Sequence, residues 1–460
     1  MSPSKGNEEK SYVFCYYVSG HGFGHATRVV QIASEILSLS RSHTTYIISN
    51  APRFIFQSAI DLGAQYRHAL IDAGVQQPLP YTVDRERTIK DLTEFLEKRE
   101  EMLEIEVNWL KEVKADMVLS DAPFLPCAAA AAAGIPSSIV SNFTFDAVYH
   151  GLCEGDELDM TIRSLVERVI ADYKNSELLI RLPGYIPLPA FPGTQLFPND
   201  RILFEKRARN KKGKVDKNGV RTGKVGTNGV IIHDRKSSIL SPRRTTRSFK
   251  KSATSLNIRR VVDVPLVVRK YKKSREDVLR GLNIPREIFE THKVLLVSFG
   301  GQKVANNKEW GEPLPDGWIA IVCGAWSSDG KTLPDRFYKC PVDAYFPDLT
   351  NAASVVMGKL GYGTCSECIG HSKPFIYVSR PQFIEEMGLK QLMLTHGSCV
   401  EIPKEHFETG RWQSYILKAS TLSGRCEDEK KVLNHDGGKV TANLLEKFLD
   451  DRTHSIKLKS

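Results

Sequence analysis

Ten residues, Gly358-Lys-Leu-Gly-Tyr-Gly-Thr-Cys-Ser-Glu367, carry the clearest chemical pattern in this chain. Gly361, Gly363 and Thr364 precede a helical stretch, an apolar run (353–357) leads in, and a second strand (374–378) leads out. Glycines at a strand-to-helix turn let backbone N–H groups approach phosphate oxygens, and the helix N-terminus adds a positive field. Glu367 falls one turn into that helix, where an acid can accept hydrogen bonds from a ribose. The segment reads as a cradle for a nucleoside diphosphate.

A second pattern, Gly20-His-Gly-Phe-Gly-His25, lies where a first strand enters a first helix. Gly24 gives the backbone room for close approach, and His25 stands at the helix start. The order fits the dinucleotide fingerprint Gly-x-Gly-x-x-Gly poorly. A tight turn with a hydrogen-bonded histidine is the competing reading. Asp121 ends a buried strand and reads equally as a helix N-cap or as a catalytic carboxylate. In the second case it holds one nitrogen of His25 and leaves the other to take a proton from a hydroxyl.

Two further segments border the same end of the sheets. Ser298-Phe-Gly300-Gly301-Gln302 follows the first strand of the second half. Glu385 and Glu386 follow a later strand; they suit sugar hydroxyls or an exposed helix N-terminus. The sequon Asn142-Phe-Thr144 lies at a buried strand end and is discounted as a glycosylation site.

The elements that must position these residues alternate strand and helix. Strands are expected at 12–19, 45–49, 66–70, 117–119 and 137–140, with helices at 27–39, from Asp84 through Leu110, and at 127–133. Beyond a proline-rich connection (182–194), strands are expected at 294–298, 318–322, 354–357, 375–378 and near Val400. Helices are expected at 275–282, 364–370, 389–395, 406–420 and 440–448. Strands separated by helices imply right-handed crossovers and parallel, doubly wound α/β sheets. The expected units are an N-terminal Rossmann-like domain (11–185), a linker with a basic low-complexity insert (186–260), and a C-terminal Rossmann-like domain (261–452). Ligands bind such sheets at their strand C-terminal ends, so the site is expected in the cleft between the domains.

The net charge of +10 is unevenly spread. Residues 201–260 contain 19 Lys/Arg and 3 Asp/Glu, so the remaining chain is slightly acidic. The basic character therefore does not argue for nucleic-acid binding by the folded body. The segment holds a near-repeat, Gly213–Val220 and Gly223–Val230, and composition makes it a poor core former. It reads as a disordered loop. Attraction to an anionic membrane or nucleic acid and a translated intron are the alternatives. No apolar run reaches the roughly 18 residues of a membrane span, and residues 1–10 lack the apolar core of a signal peptide. A cytoplasmic location with reduced cysteines is expected. Cys365 and Cys368 form a Cys-x-x-Cys without a second pair at zinc-ligand spacing, and read as helix packing.

Taken together, Gly-x-Gly-His after the first strand and Gly-x-Gly-Thr-x-x-Glu late in the second half resemble GT-B glycosyltransferases. The chain also resembles the glycosyltransferase-like N-terminal region of plant L-arabinokinases. That likeness is carried by Tyr16–Arg28, Ser141–Asp146, Ile180–Gly184, Asp263–Arg269 and Gly358–Glu367. The resemblance implies His25 as the acceptor-activating base, Asp121 as its orienting acid and Glu367 as the ribose ligand. It assigns the pyrophosphate to Gly361, Gly363 and Thr364, and the donor sugar to Glu385 and Glu386. Gly24, Gly300 and Gly301 border the donor. Lys359 stands where plant glucosyltransferases place a phosphate-binding histidine, and can serve as a point charge. The second acid replaces a glutamine of the family pattern.

The implied activity is metal-independent, inverting transfer of a hexose-type sugar to a hydroxyl acceptor. A nucleoside diphosphate sugar, UDP-linked, is co-substrate, and no other cofactor is expected. The arabinokinases' glycine- and serine-rich ATP loop has no counterpart in this sequence, so kinase chemistry is not expected of it. A non-catalytic sugar-nucleotide sensor is the alternative.

Overall fold

The computed structural model describes residues 11–21, 23–191, 259–300, 310–324, 333–341, 343–425 and 432–457. The basic insert expected at 201–260 lies outside the described residues up to 258, as does Gly301.

Among the described residues, thirteen strands form two sheets. The first holds β1 (Val13–Val18), β2 (Thr44–Ser49), β3 (Gln65–His68), β4 (Met117–Asp121), β5 (Ser137–Ser141), β6 (Leu178–Arg181) and β7 (Arg260–Asp263), in the order β3-β2-β1-β4-β5-β6-β7. The second holds β8 (Lys293–Ser298), β9 (Trp318–Cys323), β10 (Phe337–Lys339), β11 (Val355–Lys359), β12 (Phe375–Val378) and β13 (Cys399–Ile402), in the order β10-β9-β8-β11-β12-β13. Every pairing within both sheets is parallel. Central strands such as Val-Phe-Cys-Tyr-Tyr-Val in β1 are buried on both faces, which explains their nearly unbroken apolar character.

The strand order reverses between β1 and β4 in the first sheet, and between β8 and β11 in the second. Such a switch point opens a crevice at the strand C-terminal ends. His25 follows β1 and Asp121 ends β4; Gly300 follows β8 and Lys359 ends β11. Close contact between β11 and β8 requires a glycine, because a Cβ on Gly358 would lie 2.1 Å from the Ser298 carbonyl oxygen. Gly358→Ala is expected to destabilise the chain by about 1–3 kcal/mol, read from chemical denaturation.

Several elements depart from the expected pattern. The sequence places the start of the second domain at 261, yet β7 completes the first sheet through its pairing with β6. The apolar 264–268 segment is a buried strap. The Leu266 amide donates to the Asn434 carbonyl at 3.0 Å, and its carbonyl accepts from the Gly437 amide at 3.1 Å. The helix Gly437–Lys457 then packs on the helix Phe23–Leu39, burying Ala442, Leu445 and Leu449 with Val29, Ile32 and Ile36. Tyr12 Oη donates to Asp450 at 2.8 Å on the same contact.

The helix expected from Asp84 through Leu110 is two helices, Arg85–Glu97 and Arg99–Glu112. Arg168 Nη2 donates to the Leu96 carbonyl at 2.7 Å, competing there with the helical ladder. The expected helix 406–420 is likewise divided into Lys404–Glu408 and Gln413–Ser420, around Gly410 at φ +74° against Trp310. Strands β6 and β10 and the helix Leu158–Tyr173 lie outside the elements expected from sequence. Cys365 and Cys368 are buried in the core as free thiols. Among the described residues no helix is long and apolar enough to cross a membrane.

Candidate active site

On the first sheet, the helix Phe23–Leu39 begins two residues after His21 and carries His25 in its first turn; β4 delivers Asp121 beside it. His25 Nδ1 stands 3.0 Å from Asp121 Oδ1, and both side chains are buried. Asp121 thus takes the partner role and not the N-cap role. If Nδ1 donates to the carboxylate, Nε2 keeps the lone pair that a base needs.

Arg28, one helical turn beyond His25, is absent from the residues singled out in the sequence, although His-x-x-Arg spacing places both on one helix face. Arg28 is 3% exposed. Nε donates to Asp121 Oδ2 (2.5 Å), and Nη2 donates to Asp121 Oδ1 and to Ser141 Oγ (2.9 Å). Nη1 donates to Asn142 Oδ1 (2.5 Å), and the group lies 4.9 Å from the ring centroid of Tyr362 in the second half. Burial alone would push the Asp121 carboxyl up; the charges of Arg28 and then His25 hold it at about 2. Arg28 Nη2 also stands 3.0 Å from His25 Nδ1. A guanidinium only donates, so Nδ1 can accept from Arg28 or donate to Asp121, but not both.

On the second sheet, Gly361 precedes the helix Tyr362–Gly370 in extended conformation (φ −126°, ψ 148°). The first-turn amides of Tyr362, Gly363 and Thr364 are the ones a helix leaves without internal acceptors. The two helix starts meet closely: a Cβ on Gly363 would lie 3.5 Å from Gly24 Cα and 3.1 Å from Thr27 Oγ1. Lys359 is partly buried nearby, and a Cβ on Gly300 (φ +66°) would lie 3.8 Å from its Cε. Loss of hydration, and then the Arg380 charge, pull the Lys359 amine down to about 7 against the opposing effect of Glu385.

Arg380, just past β12, is a second residue missed in the sequence; its position in a loop at a strand C-terminal end was the available signal. It donates to the Leu360 carbonyl and, at 3.0 Å, to Glu385 Oε1. Its Nε stands 3.4 Å from Glu386 Oε2 and has no hydrogen-bond partner among the described residues.

His21, Gly24, His25, Arg28, Gly300, Lys359, Gly361, Gly363, Thr364, Arg380 and Glu385 line one cavity, with Val75, Phe143, Phe145 and Val148 as an apolar wall. Asp121 lies beneath it. Glu386 is committed to the loop, accepting from Ser379 Oγ and the Arg380 amide, both at 2.8 Å. Glu367 does not line this cavity. Its Oε1 accepts from Arg269 Nε (2.9 Å) and Nη2 (2.6 Å), while Oε2 is buried without a partner among the described residues.

Two parallel sheets with switch points meeting at one cavity define the GT-B fold, and solved glycosyltransferases share it. The glycotransferase of kitacinnamycin superposes with a TM-score of 0.50 at 14% identity, covering 96% of this chain and 100% of that one. CalG4, the calicheamicin glycosyltransferase, gives 0.52 at 14% identity, covering 95% and 98%. No family model matches the chain. In sequence it is similar to the L-arabinokinase of Arabidopsis thaliana, at 34% identity over 442 residues. The match takes in 95% of this chain and 34% of that protein, so the chain spans about a third of the curated relative's length.

Proposed function

We propose that the chain is a glycosyltransferase that moves a hexose-type sugar from a nucleoside diphosphate, UDP-linked, to a hydroxyl acceptor. The observation that carries this reading is the shared cavity, with His25 on Asp121 from one sheet and a cationic helix start from the other. The diphosphate lies on the amides of Tyr362, Gly363 and Thr364, with Lys359 and Arg380 beside it. His25 Nε2 takes the acceptor proton, the acceptor oxygen attacks the anomeric carbon, and the nucleoside diphosphate leaves. Single displacement inverts that carbon. The helix start and the two cations meet the leaving charge in the place of a metal ion. Glu385 faces the sugar. The phosphoryl transfer that names the Arabidopsis relative is not part of this proposal.

One observation favours a second reading, a sugar-nucleotide sensor without turnover. Arg28 both satisfies Asp121 and stands within reach of His25 Nδ1. If it donates to Nδ1, Nε2 carries the proton and cannot act as base. A thermal-shift screen against nucleoside diphosphates and their sugars, followed by transfer and hydrolysis assays on the binders, tests both readings. Binding with turnover supports the first; binding without turnover across donors and acceptors supports the second; no binding rejects both.

Lys359 makes binding dependent on pH. An amine near 7 is mostly neutral at pH 8, and a bound diphosphate favours its charged form. Uptake of about 0.5–1 proton per UDP is expected at pH 8, with little at pH 6. Affinity accordingly weakens as pH rises above 7. Calorimetry in two buffers of different ionisation enthalpy measures the uptake, and Lys359→Met should abolish it.

A further inference from the structure

His21 forms a second histidine–carboxylate pair in the same cavity. Its Nδ1 stands 3.0 Å from Asp72 Oδ1, and Asp72 is 1% exposed. The other Asp72 oxygen has no hydrogen-bond partner among the described residues. The ring is held on several sides. Its edge meets Phe145 at 90° and 6.5 Å between centroids, and the His21 amide donates to Ser19 Oγ at 3.2 Å. Gly74 lies against its face at φ +58°, where a Cβ would fall 1.9 Å from His21 Cε1. Tyr149 Oη fixes that glycine by donating to its carbonyl at 3.0 Å.

The two pairs differ in what compensates the carboxylate. Asp121 has Arg28; among the described residues Asp72 has only His21 as an ionic partner. An ionised carboxylate buried with a single hydrogen-bond partner is stabilised by positive charge on that partner. Burial works against the His21 cation, but the Asp72 hydrogen bond and charge, aided by Asp91, raise its pKa. Tyr149, whose phenol is pushed up by burial, and His25 and Arg28 on the helix that begins two residues beyond His21 are further titratable groups around the pair, with Lys359, Arg380 and Glu385 across the same cavity. With Nδ1 turned to Asp72, Nε2–H is the remaining donor of a ring that lines the cavity together with Val75, Phe143, Phe145 and Val148.

We propose that His21, paired with Asp72, is a cationic hydrogen-bond donor that selects an acceptor carrying a carboxylate or phosphate on an apolar body. The word acceptor rests on the glycosyltransferase reading; the anion preference rests on this pair alone. Histidine-labelled full chain is titrated by NMR at pH 7 in saturating UDP, which occupies the Lys359 side. The ligands are benzoate, phenyl phosphate and neutral benzamide, and His21→Gln assigns the His21 signal.

At least one anion is expected to shift that signal and to bind about tenfold more tightly than benzamide. His21→Gln should remove that preference. The His21 titration midpoint should lie above the ordinary value of about 6.5 and fall in Asp72→Asn. Equal binding of all three ligands, or an anion preference that survives His21→Gln, overturns the proposal. Benzoate over phenyl phosphate assigns a carboxylate, and the reverse assigns a phosphate. Failure of UDP to bind counts against the glycosyltransferase reading alone, because the His21 signal and its anion response are then read without UDP.

Discussion

His25→Ala is expected to lower sugar transfer by about a hundred- to ten-thousandfold, the range for loss of a positioned general base. The dissociation constant for UDP should stay within about twofold, because the proposed binding mode assigns the charged contacts with the phosphates to other side chains. His25 stands on the first-sheet wall, whereas Lys359, Arg380 and the Gly361–Thr364 turn stand on the second. Lys359→Met should show the opposite pattern, weakening UDP binding while leaving the His25–Asp121 contact in place. Paired measurements of kcat and UDP affinity on these two variants separate chemistry from recognition. A His25→Ala chain that retains wild-type turnover rejects His25 as the base.

Much of this arrangement was legible because its signals are local. Glycines 361 and 363 beside Thr364, and Gly24 beside His25, announce strand-to-helix turns within a few residues. The apolar runs of β1, β8 and β11 likewise announce buried parallel strands. What escaped depends on partners far apart in the chain. Arg28 was visible as part of a motif, but its meaning lies in Asp121, 93 residues later. Asp72 sits in a segment without regular structure, and only the fold brings it to His21. Strand β7 follows the insert, so its sequence position suggested the second domain although its hydrogen bonds belong to the first sheet. Glu386 looked equivalent to Glu385, yet Glu385 faces the cavity while Glu386 braces Arg380.

Arg28→Met is expected to destabilise the chain by about 3–5 kcal/mol, the usual consequence of removing one partner of a buried ion pair. Asp121 would remain buried without its main compensating charge, its carboxyl left with His25 and Ser141 as hydrogen-bond partners among the described residues. Asn142 Oδ1 would also lose its donor, and Asn142 Nδ2 already lacks a partner among the described residues. Asp121→Asn alone should be similarly harmful, because it leaves the Arg28 cation buried. The double variant removes both charges, so its cost should fall short of the sum by about 2–3 kcal/mol. Urea denaturation of the four proteins at pH 7 measures that coupling. Additive effects would mean that Arg28 is held by packing and hydrogen bonds to Ser141 and Asn142, not by the Asp121 charge. A coupled pair would make Arg28 the residue that keeps Asp121 ionised beneath His25, and the double variant should then fold while losing turnover. Stability and catalysis would be linked through one carboxylate, buried at the switch point of the first sheet.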